Sequence, residues 1–187
     1  LEKDRATIIK SKFRDYLEYN AKYIPKIIEN TDKFETAIDI GACYGFWSYL
    51  LKDHFKKINA FELVWDHREC FRRNMITHGI DNVTLFDYGL GDKKTNCSVG
   101  ILNVFAEKYG YAAYNAHVME ENTNGLEKLS TLDNFNFKNV NFIKIDAEGS
   151  ELKILEGAIN TLKKFKPVLF IETKDDYNRI ENFLRIN

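Results

Sequence analysis

Two glycines frame the loop DIGACYG at residues 39–45, which follows the apolar run Thr36–Ile40. Gly41 can adopt backbone angles closed to other residues and lets a ligand lie against the main chain. Gly45 opens a predicted helix whose first N–H groups can receive an anionic group. A tight strand-to-helix turn would use the same glycines. If the loop binds a ligand, its contacts are Asp39, Gly41, Ala42, Cys43, Tyr44 and Gly45.

Glu62 ends a second predicted strand and lies 21 residues after Gly41. A carboxylate at about this distance from a glycine loop can accept hydrogen bonds from both hydroxyls of a ribose. The dinucleotide fingerprint GxGxxG needs a glycine where this chain has Cys43, so the loop better suits a nucleoside with a small charged tail. S-adenosylmethionine has this composition, and we predict that it binds here, with Leu63 beside Glu62. A surface glutamate at a strand end is the alternative interpretation.

Asp87 and Tyr88 end the third predicted strand, where the adenine of such a ligand would lie. The Asp87 carboxylate can accept from the exocyclic amine, and the Tyr88 ring can pack on the base. Either residue could equally be structural.

Three carboxylates follow the last two predicted strands: Asp146 and Glu148 after one, and Glu172 after the other. Side chains alternate along a strand, so Lys144 and Asp146 share a face. The carboxylates could hold the amino group of the methyl donor, orient an acceptor, bind a divalent metal or act as a general base. Asp146 and Glu148 could instead favour the dipole of the next helix, and Glu172 could be a solvated strand end. All three remain candidate bases.

Strands and helices alternate along the chain and position these residues. The predicted strands are Thr36–Ile40, Lys57–Leu63, Val83–Tyr88, Val140–Ile145 and Val168–Ile171, and the predicted helices are 45–55, Asp66–His78, Ser150–Phe165 and Asp175–Ile186. Asp66 is the predicted N-cap of its helix. The alternation predicts an α/β fold with a mostly parallel sheet and helices on both faces. Ligands of such sheets bind outside the carboxyl ends of the strands, where every candidate residue falls.

Two segments have fainter patterns, and we expect them to build the acceptor site. The N-terminal segment, residues 1–30, predicts one or two helices within 6–30, and residues 93–130 predict an insertion with one strand, Asn96–Leu102, and loops. Binding surfaces are commonly built from such loops on a rigid scaffold. Tyr109, Tyr111 and Tyr114 could line an acceptor pocket, although packing within a loop is the simpler role.

Composition favours a single globular domain over residues 1–187 and excludes several protein classes. The chain is 44% hydrophobic and 29% charged, and its formal net charge is −1. It has no overall electrostatic footprint for nucleic acid or an anionic membrane. Three cysteines without a CxxC pair or Cys/His cluster argue against zinc and a disulfide scaffold, and favour the cytoplasm. No apolar run approaches the roughly 18 residues that span a bilayer, and no signal peptide is visible.

Several stretches, in order along most of the chain, resemble the FkbM family of methyltransferases. The matching stretches are IDIGACYG, FE at the second strand, NVTLFDYGLGD, TLDNF and FIKIDAEGSELKILEGA. The last stretch is the specific one, because a glycine loop alone does not discriminate among methyltransferase families. The resemblance runs from about Thr36 to Glu172.

The resemblance implies a Rossmann-like class I methyltransferase fold and methyl transfer from S-adenosylmethionine to a hydroxyl oxygen, often on a sugar or polyketide-type acceptor. It implies that the loop 41–45 holds the donor, that Glu62 holds its ribose, and that Asp146 and Glu148 contribute to the cleft.

Two features depart from the family pattern. Family members often carry a histidine shortly after the fifth strand, where this chain reads Glu172-Thr173-Lys174. Members also continue into two further strands, whereas this sequence ends at Asn187 within a predicted helix. We therefore expect those two strands to be missing or to come from a partner.

The working hypothesis is an in-line displacement in which an oxygen of a small-molecule or glycan acceptor attacks the methyl group of the donor. A rival hypothesis is RNA ribose 2′-O-methylation, with Lys144, Asp146 and Lys174 activating the hydroxyl; the near-neutral charge and the family resemblance disfavour it. A third is a donor-binding module without catalysis, which the carboxylates disfavour. Nothing in the sequence indicates a bound metal.

Overall fold

A five-stranded parallel sheet forms the centre of the protein. The structure is a computed structural model that describes residues 16–102, 115–121, 125–173 and 176–187. The strands of this sheet are β1 Thr36–Ile40, β2 Lys57–Phe61, β3 Val83–Phe86, β8 Val140–Ile145 and β9 Val168–Ile171. Their spatial order is β3-β2-β1-β8-β9, and every neighbouring pair is parallel. The predicted α/β fold with a parallel sheet is confirmed, and its topological switch point lies between β1 and β8, where sheets of this kind bind ligands.

The two central strands are apolar because both of their faces are covered. All five residues of β1 are buried, as are all but one of the six in β8. Isoleucine supplies much of this sequence, and branched side chains pack well on a pleated surface. Asp39 and Lys144 interrupt the apolar pattern, and the two residues are register partners on adjacent strands.

Helices cover both faces of the sheet, as predicted. They are α1 Ile24–Glu29, α2 Phe46–Leu51, α3 Trp65–Thr77, α4 Glu151–Glu156, α5 Ile159–Phe165 and α6 Tyr177–Ile186. One apolar cluster joins α1 and α2 to Ala37 and Phe142, while another joins α4 and α6 to Ile38 and Ile143. Consecutive residues of a strand, such as Ala37 and Ile38, thus point to opposite faces of the sheet and pack in different apolar clusters. No helix in the described ranges is both long and apolar enough to cross a membrane.

A second sheet lies between β3 and β8 in the chain. Its strands are β4 Gly89–Leu90, β5 Thr95–Leu102, β6 Asn115–Glu121 and β7 Glu127–Ser130, in the spatial order β4-β7-β5-β6. β5 pairs antiparallel with β6 and β7. The sequence predicted only one strand here, because short strands without a sustained apolar alternation resemble loops. The predicted pocket residues Tyr109, Tyr111 and Tyr114 lie outside the described residues.

Several predicted boundaries were wrong, among them that of β3, which ends at Phe86 and not at Tyr88. The helix predicted over Ser150–Phe165 is two helices, α4 and α5. A Cβ at Gly157 between them would lie 1.9 Å from the carbonyl oxygen of Gly91. The Asp133 carboxylate accepts hydrogen bonds from the first N–H groups of α5, so a distant side chain fixes its start. β2 ends at Phe61, and the N-cap of α3 is Val64 rather than Asp66, which lies in the first turn.

Candidate functional site at the carboxyl edge of the sheet

The loop after β1 makes main-chain contacts with the ends of the two neighbouring strands, β2 and β8. The N–H groups of Gly41 and Ala42 both donate to the carbonyl oxygen of Phe61, at 3.0 and 2.9 Å. Gly41 has a φ of +70°, and a Cβ there would lie 1.8 Å from the carbonyl oxygen of Asp146. Packing against β8 therefore already requires glycine at this position, whether or not a ligand lies against the loop.

Gly45 and Cys43 complete the turn of this loop. Gly45 has a φ of +89°, and a Cβ there would lie 2.7 Å from Cε of Met75 on α3. Cys43 also has a positive φ, of 48°. Burial raises the pKa of the Cys43 thiol, and the neighbouring Glu62 carboxylate raises it further. The thiol therefore stays protonated, so Cys43 is a structural residue of the loop and not a nucleophile.

Glu62 lies just after β2 with its carboxylate against the loop. Oε2 accepts from the N–H of Cys43 and Oε1 from that of Val64, both at 2.7 Å. Nδ1 of His67 lies 3.4 Å from Oε1, and 7% of the Glu62 side chain is exposed. Burial alone would raise the pKa of Glu62, but His67 and the two N–H donors outweigh it and lower the pKa. Glu62 is thus a rigid carboxylate, ionised at neutral pH.

His67 is a site residue that sequence reasoning did not single out. Its imidazole is buried on α3 between Glu62 and Tyr44, whose ring meets it edge to face at a centroid distance of 5.0 Å. It occupies the first turn of the helix that follows the acidic residue. A side chain there points back toward the helix N-terminus and the strand end, and that position is the signal that could have found it.

Asp39 and Lys144 form a buried ion pair beneath the loop. The Asp39 carboxylate is fully buried, accepts from Oγ of Ser48 at 2.7 Å and lies 3.4 Å from Nζ of Lys144. Burial alone would lower the pKa of Lys144, but the charges of Asp39 and Asp146 outweigh it and raise the pKa. Asp39 thus supports the loop from below, and its contact with a methyl donor stays a prediction.

The three candidate catalytic carboxylates converge at the ends of β8 and β9. The main-chain N–H of Glu172 donates to the carbonyl oxygen of Ile145 at 2.9 Å, which brings the two strand ends together. The charge of Asp146 is the main cause of a raised pKa at Glu172, followed by burial and the charge of Glu148. The structure therefore joins Asp146, Glu148 and Glu172 in one cluster of like charges. No group of three or more His, Cys, Asp or Glu residues in the described ranges is arranged to hold a metal ion.

Glu151 holds the segment that carries Asp146 and Glu148. It is buried at the start of α4, and its Oε1 accepts from the N–H groups of Ala147 and Gly149 at 3.0 and 3.1 Å. Glu148 has a φ of +49°, a conformation that needs such support. Sequence reasoning missed Glu151, although a glutamate in the first turn of a helix after a glycine is a recognisable signal for such a contact.

Tyr16 brings the N-terminal segment to the same cluster. Its ring stacks on that of Phe46 with a centroid distance of 5.2 Å and an interplanar angle of 8°. Burial is the first cause of a raised Tyr16 pKa, and the charges of Asp146, Glu172 and Glu148 add to it. About half of Tyr16 is exposed. A residue of the segment expected to build the acceptor site thus lies at the carboxylates, although the sequence did not single it out.

The residues predicted to meet adenine lie around the ends of β2 and β3. Asp87 is exposed, and Tyr88 packs edge to face on Phe135 at a centroid distance of 5.6 Å. A Cβ at Gly89 would lie 3.1 Å from Cδ1 of Leu63, so the two turns are in contact. Contact of Asp87, Tyr88 and Leu63 with adenine remains a prediction.

Arg68 joins these turns to the second sheet. Its Nη1 donates to the carbonyl oxygens of Glu62 and Leu63 and lies 3.6 Å from Oε2 of Glu127 on β7. The arginine is buried, and sequence reasoning did not single it out.

Comparison with known proteins places this chain in a family. The sequence profile of the methyltransferase FkbM domain matches residues 39–187, and no curated protein matches the chain. A solved FkbM methyltransferase from Methylobacillus flagellatus KT is 22% identical over 74% of this chain and 32% of its own, with a TM-score of 0.49. This chain thus spans about a third of the length of that protein.

Two further solved structures share the fold at low identity. An rRNA methylase from Streptococcus thermophilus is 14% identical over 86% of this chain and 75% of its own, with a TM-score of 0.52. A precorrin-6y C5,15-methyltransferase from Geobacter metallireducens GS-15 is 17% identical over 87% and 68%, with a TM-score of 0.53. The fold is therefore the Rossmann-like class I methyltransferase fold. Because the family profile covers most of the sequence, the chain belongs to the FkbM methyltransferase family.

Proposed function

We propose that the protein transfers a methyl group from S-adenosylmethionine to a hydroxyl oxygen of a sugar or another small-molecule or glycan acceptor. The observation that carries the proposal is the meeting of two kinds of carboxylate at one edge of the sheet. Glu62 is held by N–H donors beside the glycine loop, while Glu172 lies among like charges beside Asp146. The first environment suits a binding group and the second a proton acceptor.

The residues present fit the methyl donor by their chemistry. Glu62 offers a carboxylate for the ribose hydroxyls, since an ionised carboxylate has about four lone-pair sites and its two N–H partners use only part of them. Asp87, Tyr88 and Leu63 would meet adenine, and Asp146 would hold the amino group. When bound, S-adenosylmethionine supplies a methyl group on an already reactive sulfonium.

Glu172 is the carboxylate best suited to act as general base. Asp146 lies 3.6 Å from the Lys144 ammonium, which makes it an orienting group. Glu172 has a pKa raised by the neighbouring carboxylates, so it is a stronger base than an ordinary glutamate. It accepts the hydroxyl proton as the acceptor oxygen bonds to the methyl carbon. The protein otherwise holds both reactants in line.

The position of Lys144 argues against RNA ribose methylation. Its Nζ is buried and donates to the carbonyl oxygens of Gly41 and Ile40, so it does not reach an acceptor in the cleft. The predicted partner Lys174 lies outside the described residues. The likeness to an rRNA methylase concerns the fold alone.

Calorimetry with S-adenosylhomocysteine tests the donor site. We expect the wild-type protein to bind it and Glu62→Ala to weaken the binding about tenfold or more, because hydrogen bonds to a charged group are lost. Glu69→Ala is the matched control, since Glu69 is on α3, the helix that follows Glu62, and pairs only with Arg72 among the contacts described for it. Equal affinity of Glu62→Ala and the wild type would show that the ribose assignment is wrong.

Turnover of S-adenosylmethionine against a panel of acceptors tests the reaction. The panel contains sugars, hydroxylated small molecules and capped RNA, and the product measured is S-adenosylhomocysteine. Turnover with a sugar or small hydroxylated compound supports the proposal, and turnover with RNA alone contradicts the acceptor class. Donor binding without turnover on any acceptor would favour the non-catalytic binding module.

A further inference from the structure

The buried ammonium of Lys144 contacts oxygen atoms from four residues at the meeting point of β1 and β8. Nζ donates to the carbonyl oxygens of Gly41 and Ile40 at 2.8 and 3.2 Å. It lies 3.4 Å from Oδ1 of Asp39 and 3.6 Å from Oδ2 of Asp146. Only 2% of the side chain is exposed, so these oxygens replace water around the charge.

Packing alone gives no reason for a lysine at this position. Its neighbours along β8, Phe142, Ile143 and Ile145, are all buried and apolar. Removing an ammonium and two carboxylates from water is unfavourable, and apolar side chains of similar size usually give equal or greater stability. The contacts that the charge makes are therefore the feature that a methionine or leucine at this position could not supply.

The four contacts join the donor loop, Asp146 and the strand beneath them. Gly41 and Ile40 belong to the loop expected to hold the methyl donor, and the loop is in main-chain contact with Asp146, whose N–H donates to Ile40 at 3.2 Å. Asp146 would hold the amino group of the donor beside the Glu172 carboxylate, and about a third of its side chain is exposed. Asp39, which Ser48 also holds, anchors the ammonium from below.

We propose that Lys144 is a positioning residue whose ammonium fixes the donor loop at Gly41 and aims the carboxylate of Asp146 into the cleft. This inference rests on the proposed function, because it assigns a purpose to the same site. Donor affinity and acceptor orientation then depend on one buried charge. Asp39, Asp146, Cys43 and Glu172 are the titratable groups that act on this charge or are acted on by it.

The test separates positioning from stability by a cycle of Lys144→Met, Asp39→Asn and the double variant. Lys144→Met alone leaves the Asp39 charge buried without its cation, so we expect a lower melting temperature. The double variant removes that stranded charge, and we expect it to melt close to Asp39→Asn. We also expect it to bind S-adenosylhomocysteine about tenfold or more weakly than Asp39→Asn, because the loop and Asp146 are no longer held.

Asn141→Ala is the control for a loss of stability alone. Asn141 is on the same strand as Lys144, but its Oδ1 accepts from the N–H groups of Glu35 and Thr36 at the opposite end of the sheet, so the variant lowers the melting temperature while affinity for S-adenosylhomocysteine stays at the wild-type level. With an accepted substrate from the panel, the double variant lowers kcat and also raises the KM for the donor.

Each outcome of the cycle distinguishes the two proposals. If the double variant binds as tightly as Asp39→Asn at a similar melting temperature, Lys144 is structural and this inference fails while the proposed function stands. If the wild-type protein does not bind S-adenosylhomocysteine at all, both fail.

Discussion

Glu62 directly follows β2 and Glu172 directly follows β9, on either side of the two central strands. The pKa of Glu62 is nevertheless lowered, whereas that of Glu172 is raised. Each directly follows a parallel strand, and each main-chain N–H donates to the neighbouring strand, to Phe86 at 3.2 Å and to Ile145 at 2.9 Å. Burial pushes the pKa of both upward. At Glu62 the donors His67, Val64 and Cys43 reverse the shift, whereas at Glu172 the charges of Asp146 and Glu148 increase it.

The comparison shows that the neighbours of a carboxylate, and not its position on the fold, decide what it can do. A carboxylate held by N–H donors stays charged and is suited to bind hydroxyl groups. A carboxylate pressed by like charges is ready to accept a proton. Under the proposed function, the donor side of the cleft is therefore preorganised and the acceptor side is reactive.

Glu172→Gln should have the largest effect on activity, because it removes the proposed general base. Loss of the proton acceptor should lower kcat by about 10²–10⁴-fold, while affinity for S-adenosylhomocysteine changes little. Steady-state kinetics and calorimetry measure the two quantities. Glu181→Gln, which alters a surface ion pair with Arg185, is the control. A kcat within about threefold of the wild type would move the role of base away from Glu172.

Gly41→Ala should break the preorganised side. The new Cβ would overlap the carbonyl oxygen of Asp146 and also strain a positive φ, so the free energy of unfolding should fall by about 3 kcal/mol or more. Gly79→Ala is the matched control, because Gly79 has a φ of +62° with no atom within 4 Å of its Cβ position. It should cost about 1–2 kcal/mol. Denaturant unfolding measures both, and equal losses would contradict the close packing.

Substituting each glutamate by glutamine should change stability at pH 7 in opposite directions. Glu62→Gln should lower the free energy of unfolding by about 1–3 kcal/mol, because two N–H donors lose a charged partner. Glu172→Gln should raise it, because a repelling charge is removed. Denaturant unfolding at pH 7 measures both changes. A loss of stability in both variants would contradict the opposite environments.

The acid dependence of stability should show the same contrast. The pKa of Glu62 is lower in the folded state than its ordinary value of 4.5, so its stabilisation is complete above the ordinary value and is lost as the pH falls through the folded pKa. Glu62→Gln should therefore flatten the acid loss of stability. The folded pKa of Glu172 is raised, so its ionisation is unfavourable to folding at neutral pH, and this penalty disappears as the pH falls.

Glu148→Gln should have the smallest effect, a shift in the pH dependence of kcat, and it tests whether like charges set the pKa of Glu172. Because the charge of Glu148 helps to raise the pKa of Glu172, its removal should move the acidic limb of the kcat profile to lower pH. The shift is read from the profile normalised to its own maximum, so a loss of rate does not obscure it. A limb that stays in place or moves to higher pH would contradict the coupling of these carboxylates.

The sequence predicted the central sheet because strands buried on both faces are continuous apolar runs between turn residues. It also predicted the convergence of Gly41, Glu62 and Asp146, since strand ends of a parallel sheet meet at one edge. It did not predict β4, β6 and β7, whose residues lack a sustained alternation.

The supporting side chains escaped sequence reasoning for a different reason. His67, Arg68, Glu151 and Tyr16 act on groups brought to them by tertiary packing, and their local patterns match those of ordinary helical residues. Likewise, the Asp133 carboxylate fixes the start of α5 from 27 residues away. Such contacts become visible only when the elements have been placed.

The contacts of Arg68 limit how the insertion between β3 and β8 could be changed by protein engineering. Its guanidinium donates hydrogen bonds to the turn after β2 and pairs with Glu127 on β7. These contacts link the second sheet to the strand end that carries Glu62. An engineer who grafts a different insertion to change the acceptor must therefore keep an acidic side chain where Glu127 stands. A graft without it would leave the turn that carries Glu62 less firmly held, and we expect weaker binding at the proposed donor site.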